Sequence, residues 1–378
     1  MGETTLVLSA PLYLAAGVFT LLLGDQLTRR IAALRELCIP RPVTGGLLFA
    51  GLTWLLARAR FVELQLDGDL HGEVWSMVFA AIAPDQPLQI DQPFLIAFFT
   101  CVGLSCSAAA IREGGRLVTA LLATASLLAL LQAVLGVGVA VAWGHHPSLG
   151  LACGPVSMTG GHGTTAGFAA LLESTGLPDA RAVGFAAATF GLLIGGVVAG
   201  PLGSWLIRRE ELHPGEGDAP ETEGTRREES LLRDLSVIWE HWRAGLLLLL
   251  ILLVCFKSGA WLSHGLSRIG LVFPVYMGSM IVGALVRNGM APLGLPGLDR
   301  LLQSVRSLCI GMFLVLALMN TSFSALAGVA LPMLAILLGQ VLLATVFAAW
   351  VTYRFSGRDY AAAMVAAGHC GFALGATP

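Results

Sequence analysis

The feature that most restricts the fold of this chain is a series of long apolar runs with almost no charge. Of the 378 residues, 56% are hydrophobic and 12% are charged, whereas about 25% are charged in an average soluble domain. The mean hydropathy is +0.79. Several runs contain the roughly 20 apolar residues that cross about 30 Å of hydrocarbon. The composition therefore predicts an all-α polytopic membrane protein.

The apolar runs divide into simple spans and two irregular segments. Residues 150–172 and 360–376, called here the first and second broken segments, are too rich in Gly, Ser, Thr and His for simple spans. Residues 208–235 carry 14 charged residues and are typical of a solvated linker. This linker separates an N-terminal membrane repeat, 1–207, from a C-terminal one, 236–378. The predicted spans are 6–24, 43–57, 93–110, 117–143, 182–207, 244–263, 271–286, 307–327 and 331–353.

The cysteines and the N-terminus argue against two other interpretations, a disulfide or zinc-binding framework and a cleaved signal peptide. The seven cysteines are scattered through apolar segments without a CxxC spacing, which argues against a disulfide framework or a zinc site. The first apolar run has no basic residue before it and two arginines after it. It is therefore predicted to be a first span rather than a signal peptide.

The basic residues indicate the orientation of the chain. With the N-terminus outside and the central linker in the cytoplasm, 17 of the 22 basic residues face the cytoplasm, as the positive-inside rule requires. A full crossing by the first broken segment would turn every later arginine outward, so we predict a re-entrant hairpin there. The cytoplasmic arginines would be Arg29, Arg30, Arg35, Arg41, Arg112, Arg116, Arg208, Arg209, Arg226, Arg227, Arg233, Arg243, Arg287, Arg300, Arg306, Arg354 and Arg358.

The two halves carry matching features in the same order. FFTCVGL in the first half and LCIGMFL in the second each precede a Gly-His pair by about 60 residues. Each half has an odd number of crossings, so the repeats are expected to be inverted in the membrane. Interrupted segments at matching places in such halves point to a transporter binding site. The second repeat is expected to need one further span beyond Pro378 and to be truncated in this chain.

The first broken segment, SMTGGHGTTAGF at 157–168, has the groups of a site for an anion and a cation. Backbone outside a helix is tolerated at membrane depth only where it is buried in protein or lines a wet cavity. Free N–H groups at a helix start suit a carboxylate, and hydroxyl and carbonyl oxygens suit Na⁺. Close packing of small residues is the alternative. The candidate substrate-binding residues are Ser157, Thr159, Gly160, Gly161, His162, Gly163, Thr164 and Thr165.

The second broken segment adds Gly371, Gly375 and Thr377 to the substrate-binding candidates. His162 and His369 occupy matching places, where structural hydrogen bonding, substrate contact and proton coupling all remain open. Because no long apolar segment has a carboxylate at its centre, we favour cation coupling through neutral groups. The Na⁺ candidates, for some of which ordinary interhelical hydrogen bonds are an equal alternative, are Thr100, Ser105, Thr164, Asn320, Cys370 and Thr377.

Four stretches together resemble the bacterial sodium/glutamate symporter family along essentially the whole chain. They are IPRPVTGGLL (39–48), GGHGT (160–164), ATFGLLIGG (188–196) and AAGHCGFALGATP (366–378). The resemblance implies two inverted five-span repeats with a re-entrant loop in each. It also implies sodium-coupled uptake of L-glutamate, a homodimer in the lipid of the cell inner membrane, and elevator-type movement of a transport domain. Family members continue beyond GATP with a further span.

The expected function is therefore secondary active transport and not enzymatic catalysis. No catalytic residue and no cofactor are expected, with Na⁺ acting as the coupling ion, and no nucleic acid is expected as a partner. A sodium-coupled symporter of another organic anion and a cation/proton antiporter or channel are the alternatives. An intramembrane hydrolase using His369 and Cys370 is the least favoured, because adjacent residues do not face each other on a helix.

Overall fold

The computed structural model describes residues 5–32, 34, 39–59, 63–70, 88–213, 231–271, 274–290, 298–320 and 326–375. Helices make up nearly all of the regular structure in these ranges. Two short strand pairs accompany them. Strand β1 (Thr5–Leu8) runs parallel to β2 (Glu63–Leu66), and β3 (Asp69–Leu70) runs antiparallel to β4 (Leu88–Gln89).

The helices follow the order of the predicted spans. Two π-helical turns, Ala152–Val156 and Ala348–Thr352, lie next to the helices that they interrupt. In chain order the α-helices are α1 (Ala10–Arg30), α2 (Arg41–Arg58), α3 (Gln92–Ser105), α4 (Ala108–Ala142), α5 (Pro147–Leu151), α6 (Gly161–Ser174), α7 (Ala180–Arg209), α8 (Leu231–Glu240), α9 (Trp242–Arg268), α10 (Val275–Gly289), α11 (Leu298–Met319), α12 (Ala330–Phe347), α13 (Tyr353–Phe355) and α14 (Tyr360–Ala373).

Six of the described helices are long and apolar enough to cross a membrane. Helices α3 and α14 are apolar but shorter. The prediction of an all-α polytopic membrane protein is therefore confirmed. The apolar helices of spanning length are Ala10–Arg30, Leu117–Ala142, Ala180–Arg209, Trp242–Arg268, Asp299–Met319 and Ala330–Phe355.

The boundary between the predicted spans 93–110 and 117–143 lies elsewhere in the structure. Helix α3 already ends at Ser105, and Cys106 is extended with φ −83° and ψ 102°. Helix α4 then begins at Ala108 and is kinked at Gly115, where φ is 43° and ψ is −118°. The break at Cys106 has no Gly or Pro to mark it in the sequence. The kink at Gly115 agrees with a membrane span that begins at Leu117.

The chain forms two compact units, and each contains segments from both halves of the sequence. The first unit comprises residues 1–30, 40–113 and 228–320, and the second comprises 31–39, 114–227 and 321–378. These units are defined by packing, whereas the predicted division at residues 208–235 separates two repeats in the sequence. The repeats stay a prediction. Most of that linker lies outside the described residues, between the end of α7 and the start of α8.

Close helix crossings hold the first unit together. Gly103 in α3 lies directly against the backbone carbonyl of Met280 in α10, where any side chain would clash. The hydroxyl of Tyr13 in α1 donates a 2.6 Å hydrogen bond to the carbonyl of Leu316 in α11. Tyr13 is 2% exposed, so this bond satisfies a polar group deep in the packed interior.

The second unit packs around α7, which lies against both broken segments. Its apolar core is formed by buried side chains of α4, α7, α12 and α14, among them Leu128, Val183, Ile336 and Ala366. Small residues let the backbones approach closely, as is common where helices pack within membranes. A Cβ on Gly203 of α7, for example, would lie 3.0 Å from the Cβ of Ala367 in α14.

Candidate functional site

The first broken segment is interrupted at residues 152–160, whereas residues 161–168 of SMTGGHGTTAGF belong to helix α6. Helix α5 continues into the π-helical turn Ala152–Val156, in which Gly154 leaves helical geometry with φ −107° and ψ −128°. Pro155, inside the same turn, has no N–H to donate to a helix. A turn over residues 157–160 follows before α6 begins. The break is therefore built by adjacent glycine and proline residues.

Gly161 starts α6 in a backbone conformation that suits glycine. Its φ is +66°, in the left-handed region, which disfavours any residue with a Cβ. Gly163, two residues later, lies within the helix and does not have a positive φ. The backbone conformation therefore requires glycine at Gly161 and not at Gly163.

The hydroxyl groups of the first broken segment fall into two kinds. The hydroxyl of Thr165 donates to the carbonyl of Gly161 at 2.9 Å and lies 3.0 Å from the Oγ of Ser157, which is fully buried. These two side chains therefore stabilise the break itself. The half-buried Thr164 hydroxyl makes no hydrogen bond within the described residues and packs against Gly160. Thr164 remains available to a ligand.

The second broken segment is a helix that stops in a tight turn. The Asp359 carboxylate caps the start of α14 by accepting from the backbone N–H of Ala362 at 2.7 Å. At its other end, the N–H of Leu374 donates to Gly371 and that of Gly375 to Phe372. Gly375 has a φ of +83°. Thr377, a candidate for both substrate and Na⁺, lies outside the described residues.

The two broken segments meet inside the second unit. A Cβ on Gly375 would lie 3.4 Å from the carbonyl oxygen of Met158 and 3.4 Å from that of Ala188 in α7. The ATFGLLIGG stretch of α7 thus contacts the end of the second segment, and α7 also reaches the first. A Cβ on Gly184 would lie 3.1 Å from the Oγ of Ser157. The similar sequences of the two segments predicted that they form a pair, and in the structure the two segments are in direct contact.

Two buried glutamines that the sequence reasoning missed connect these segments. Gln132 in α4 accepts from the Thr159 hydroxyl at 2.6 Å and donates to the carbonyl of Ala373 at 2.9 Å. Gln340 in α12 donates to the backbone carbonyl of Gln132 at 2.8 Å. A signal was present, because the glutamines precede His162 and His369 by 30 and 29 residues in otherwise apolar helices.

Both histidines make hydrogen bonds to threonines of neighbouring helices. The Nε2 of His162 lies 3.0 Å from the Oγ1 of Thr189 in α7, and its ring stacks on Phe185. The Nδ1 of His369 lies 2.7 Å from the Oγ1 of Thr352. Within the described residues the buried Nε2 of His369 has no partner. Structural hydrogen bonding thus has direct geometric support at both positions.

The remaining Na⁺ candidates are distributed between the units. The Cys370 sulfur, fully buried in the second unit, lies 3.9 Å from the Thr345 hydroxyl. Thr100 and Ser105 belong to the first unit and donate to their own helix, to Ile96 and Cys101 respectively. Asn320, also in that unit, is exposed at the end of α11. Within the described residues no group of three or more His, Cys, Asp and Glu could hold a metal ion.

A set of membrane-spanning helices with two helix breaks joined by buried polar side chains is the architecture of a secondary transporter. The family described as "Sodium/glutamate symporter" matches this chain over residues 6–86 and 76–378. The chain belongs to this sodium/glutamate symporter family, and it is a multi-pass membrane transporter rather than an enzyme.

Three curated relatives carry the name sodium/glutamate symporter. The proteins of Escherichia coli K12 and Shigella flexneri are each 32% identical to this chain over 369 residues, which cover 97% of the chain and 85% of the relative. The protein of Haemophilus influenzae is 32% identical over 375 residues, with the same two coverages. No solved structure matches the chain.

Proposed function

We propose that this protein takes up L-glutamate together with Na⁺ by alternating access. The observation that carries the proposal is 32% identity to proteins named sodium/glutamate symporters along 97% of the chain. The contact between the two broken segments supports it, since both segments belong to one compact unit. A substrate and a coupling ion held by paired segments of one unit would move together.

The first broken segment offers groups for the substrate carboxylates. Among the described residues no side chain caps the N-terminus of α6, and the partial positive charge at a helix start favours an anion. Thr164 lies one turn into this helix beside Gly160, and its hydroxyl has no hydrogen-bond partner in the part of the chain that the structure describes. The N–H groups of Gly160 and Gly161 already donate to the carbonyls of Pro155 and Ser157. We therefore assign the backbone of His162 and Gly163 and the Thr164 side chain to substrate contact.

Neutral oxygens are proposed to hold the coupling ion. The hydrogen bonds of the two broken segments, in the part of the chain that the structure describes, involve hydroxyls, amides, imidazoles, the Cys370 thiol and backbone groups, apart from the Asp359 cap at the far end of α14. Hydroxyl, amide and carbonyl oxygens bind a hard cation without a carboxylate to take up a proton. This composition favours Na⁺ over H⁺ as the driving ion.

The remaining features of the proposal concern movement and placement. The second unit, which carries both broken segments, is the candidate for the mobile domain of an elevator-type transporter, with each broken segment re-entrant from one side of the membrane. The protein would form a homodimer in the cell inner membrane, with the N-terminus outside and residues 208–235 in the cytoplasm. Labelling of single cysteines introduced at residue 2 and in the linker, from each side of intact cells, tests this orientation.

Uptake by the purified protein in liposomes tests the function. Labelled L-glutamate should accumulate when an inward Na⁺ gradient is imposed and should not accumulate with a proton gradient in Na⁺-free buffer. Unlabelled glutamate should compete with the label better than unlabelled dicarboxylates that lack an amino group. Equal accumulation with the proton gradient alone would contradict sodium coupling, and stronger competition by another organic anion would reassign the substrate.

A further inference from the structure

A single buried side chain makes hydrogen bonds to both broken segments. Gln132 lies in α4 with no exposed surface. Its Oε1 accepts a 2.6 Å hydrogen bond from the hydroxyl of Thr159 in the first segment. Its Nε2 donates a 2.9 Å hydrogen bond to the backbone carbonyl of Ala373 in the second. One carboxamide therefore joins groups that are separated by more than 200 residues in the chain.

Each of the two bonds is made at the point where a broken segment leaves helical geometry. Ala373 is the last residue of α14, and carbonyl groups in the last turn of a helix lack an intrahelical partner. Thr159 lies in the turn between the π-helical turn and α6. Gln132 thus stabilises the two irregular stretches of backbone at their ends, where a ligand would act on them.

Gln340 holds the helix that presents this carboxamide. Its Nε2 donates to the backbone carbonyl of Gln132. This nitrogen lies in a space that is open because two neighbouring residues are glycines. A Cβ on Gly136 or on Gly154 would lie 3.2 Å from that nitrogen. The side chain of Gln340 is fully buried, and it comes from the second half of the chain while Gln132 comes from the first. Equivalent helices of the two predicted repeats therefore meet at this pair.

We propose that Gln132 is a positioning residue that transmits ligand binding from one broken segment to the other. A ligand that shifts Thr159 changes the position of the carboxamide. The carboxamide in turn changes the position of the Ala373 carbonyl, so a ligand bound at one segment alters the affinity of the other segment for its ligand. Coupling of this kind is a reciprocal change in affinity. The inference rests on the proposed function, because it takes the two ligands to be glutamate and Na⁺.

Replacing Gln132 by glutamate gives a test that depends on a proton. A protonated carboxyl group accepts from Thr159 and donates to the Ala373 carbonyl, as the amide does. An ionised one cannot donate and repels that carbonyl. The introduced carboxyl is protonated at low pH and ionised at high pH. Coupling in Gln132→Glu should therefore be present at low pH and be lost as the pH rises.

The measurement is binding of labelled L-glutamate to the purified protein in nanodiscs, over a range of Na⁺ concentrations from about pH 5.5 to about pH 9, a range that includes the values documented for buried glutamates. The coupling factor is the ratio of the glutamate Kd at low Na⁺ to that at high Na⁺. For Gln132→Glu it should be within about twofold of wild type at the acid end and at least about tenfold smaller at the alkaline end, as expected for one broken buried hydrogen bond.

A second variant keeps the test decisive if the carboxyl stays protonated throughout. Gln132→Met retains an unbranched side chain of similar length but cannot bond to either partner, so its coupling factor should be reduced at every pH. Gln303→Glu is the matched control, because Gln303 is an exposed residue of α11 in the first unit. This control should leave the coupling factor equal to that of wild type.

Two results would overturn the inference. One is a wild-type coupling factor in Gln132→Met at all pH values, and the other is a loss in Gln132→Glu that is independent of pH. The wild-type arm of the same experiment separates this inference from the proposed function. If wild-type protein binds glutamate without any dependence on Na⁺, the proposed function fails. If wild type is Na⁺-dependent and the variants behave like it, only the role of Gln132 fails.

Discussion

The carbonyl oxygen of Leu374 lies where a side chain on Gly191 would begin, since a Cβ on that glycine would be 2.6 Å from the oxygen. Gly191 belongs to the ATFGLLIGG stretch of α7, and Leu374 is in the turn that ends the second broken segment. The same Cβ would be 2.9 Å from the sulfur of Met158 in the first segment. Both segments thus pack against helix α7.

Gly191→Ala should displace the second broken segment. The added methyl group meets backbone that cannot give way cheaply, and overpacking of this kind costs about 1–3 kcal/mol. We expect glutamate uptake into liposomes to fall at least about tenfold at equal amounts of reconstituted protein. Gly200→Ala is the matched control, because it lies on the same helix and its Cβ would have nothing within 4 Å. Equal uptake by the two variants would show that this close approach is not needed.

Gly161 and Gly163 should respond differently to alanine. Gly161→Ala places a Cβ on a left-handed residue, which costs about 1–2 kcal/mol, so both the stability and the uptake should fall. Gly163 is buried but has helical backbone, where alanine has the higher helix propensity, so the stability should fall less than in Gly161→Ala. Uptake by Gly163→Ala should still fall if a ligand approaches this glycine closely. Thermal unfolding and uptake measured on the same preparations separate the two effects, and wild-type uptake in both variants would remove this segment from the site.

The hydrogen bond between His162 and Thr189 should contribute to stability. Thr189→Val keeps the shape of the side chain and removes the hydroxyl, which leaves a buried imidazole nitrogen without its partner at a cost of about 1–3 kcal/mol. A double-mutant cycle with His162→Ala should give a coupling energy of about 1 kcal/mol from thermal unfolding in detergent. Additive effects of the two substitutions would contradict a direct bond.

Tyr13→Phe provides a contrast in the first unit. It removes the buried hydroxyl that donates to the Leu316 carbonyl, and the free energy of unfolding should fall by about 1–2 kcal/mol. The Na⁺ dependence of glutamate binding should stay at its wild-type value, since neither Tyr13 nor Leu316 belongs to the unit that carries the broken segments. A changed Na⁺ dependence would mean that the first unit takes part in ion binding.

Much of the fold follows from the sequence because its two signals are local. These are the length of each apolar run and the presence of polar segments interrupted by glycines. An interruption within residues 150–172 was predicted from composition, and the structure has one at residues 152–160, formed with Gly154 and Pro155, whereas residues 161–168 are helical. The end of α3 at Ser105 could not be predicted in this way. Its serine bonds to its own helix, and the extended residue that follows is an ordinary cysteine.

The candidate site was predicted less completely, because its geometry depends on contacts between distant residues. The glycines and hydroxyls of SMTGGHGTTAGF stood out in an apolar context. Gln132 and Gln340 are marked only by their similar spacing from His162 and His369, which does not indicate the groups that they bond. Thr100 and Ser105 looked similar to Thr159 in sequence, yet they bond within α3 and belong to the first unit.

The central claim is that glutamate and Na⁺ move through this protein together, and reversing the driving force tests it most directly. Liposomes containing the wild-type protein are prepared with equal Na⁺ on both sides, and an inward gradient of L-glutamate is imposed in the presence of tracer ²²Na⁺. We expect ²²Na⁺ to accumulate inside only when glutamate is present outside. Uptake of ²²Na⁺ at the same rate without glutamate, or none with it, would contradict the coupling.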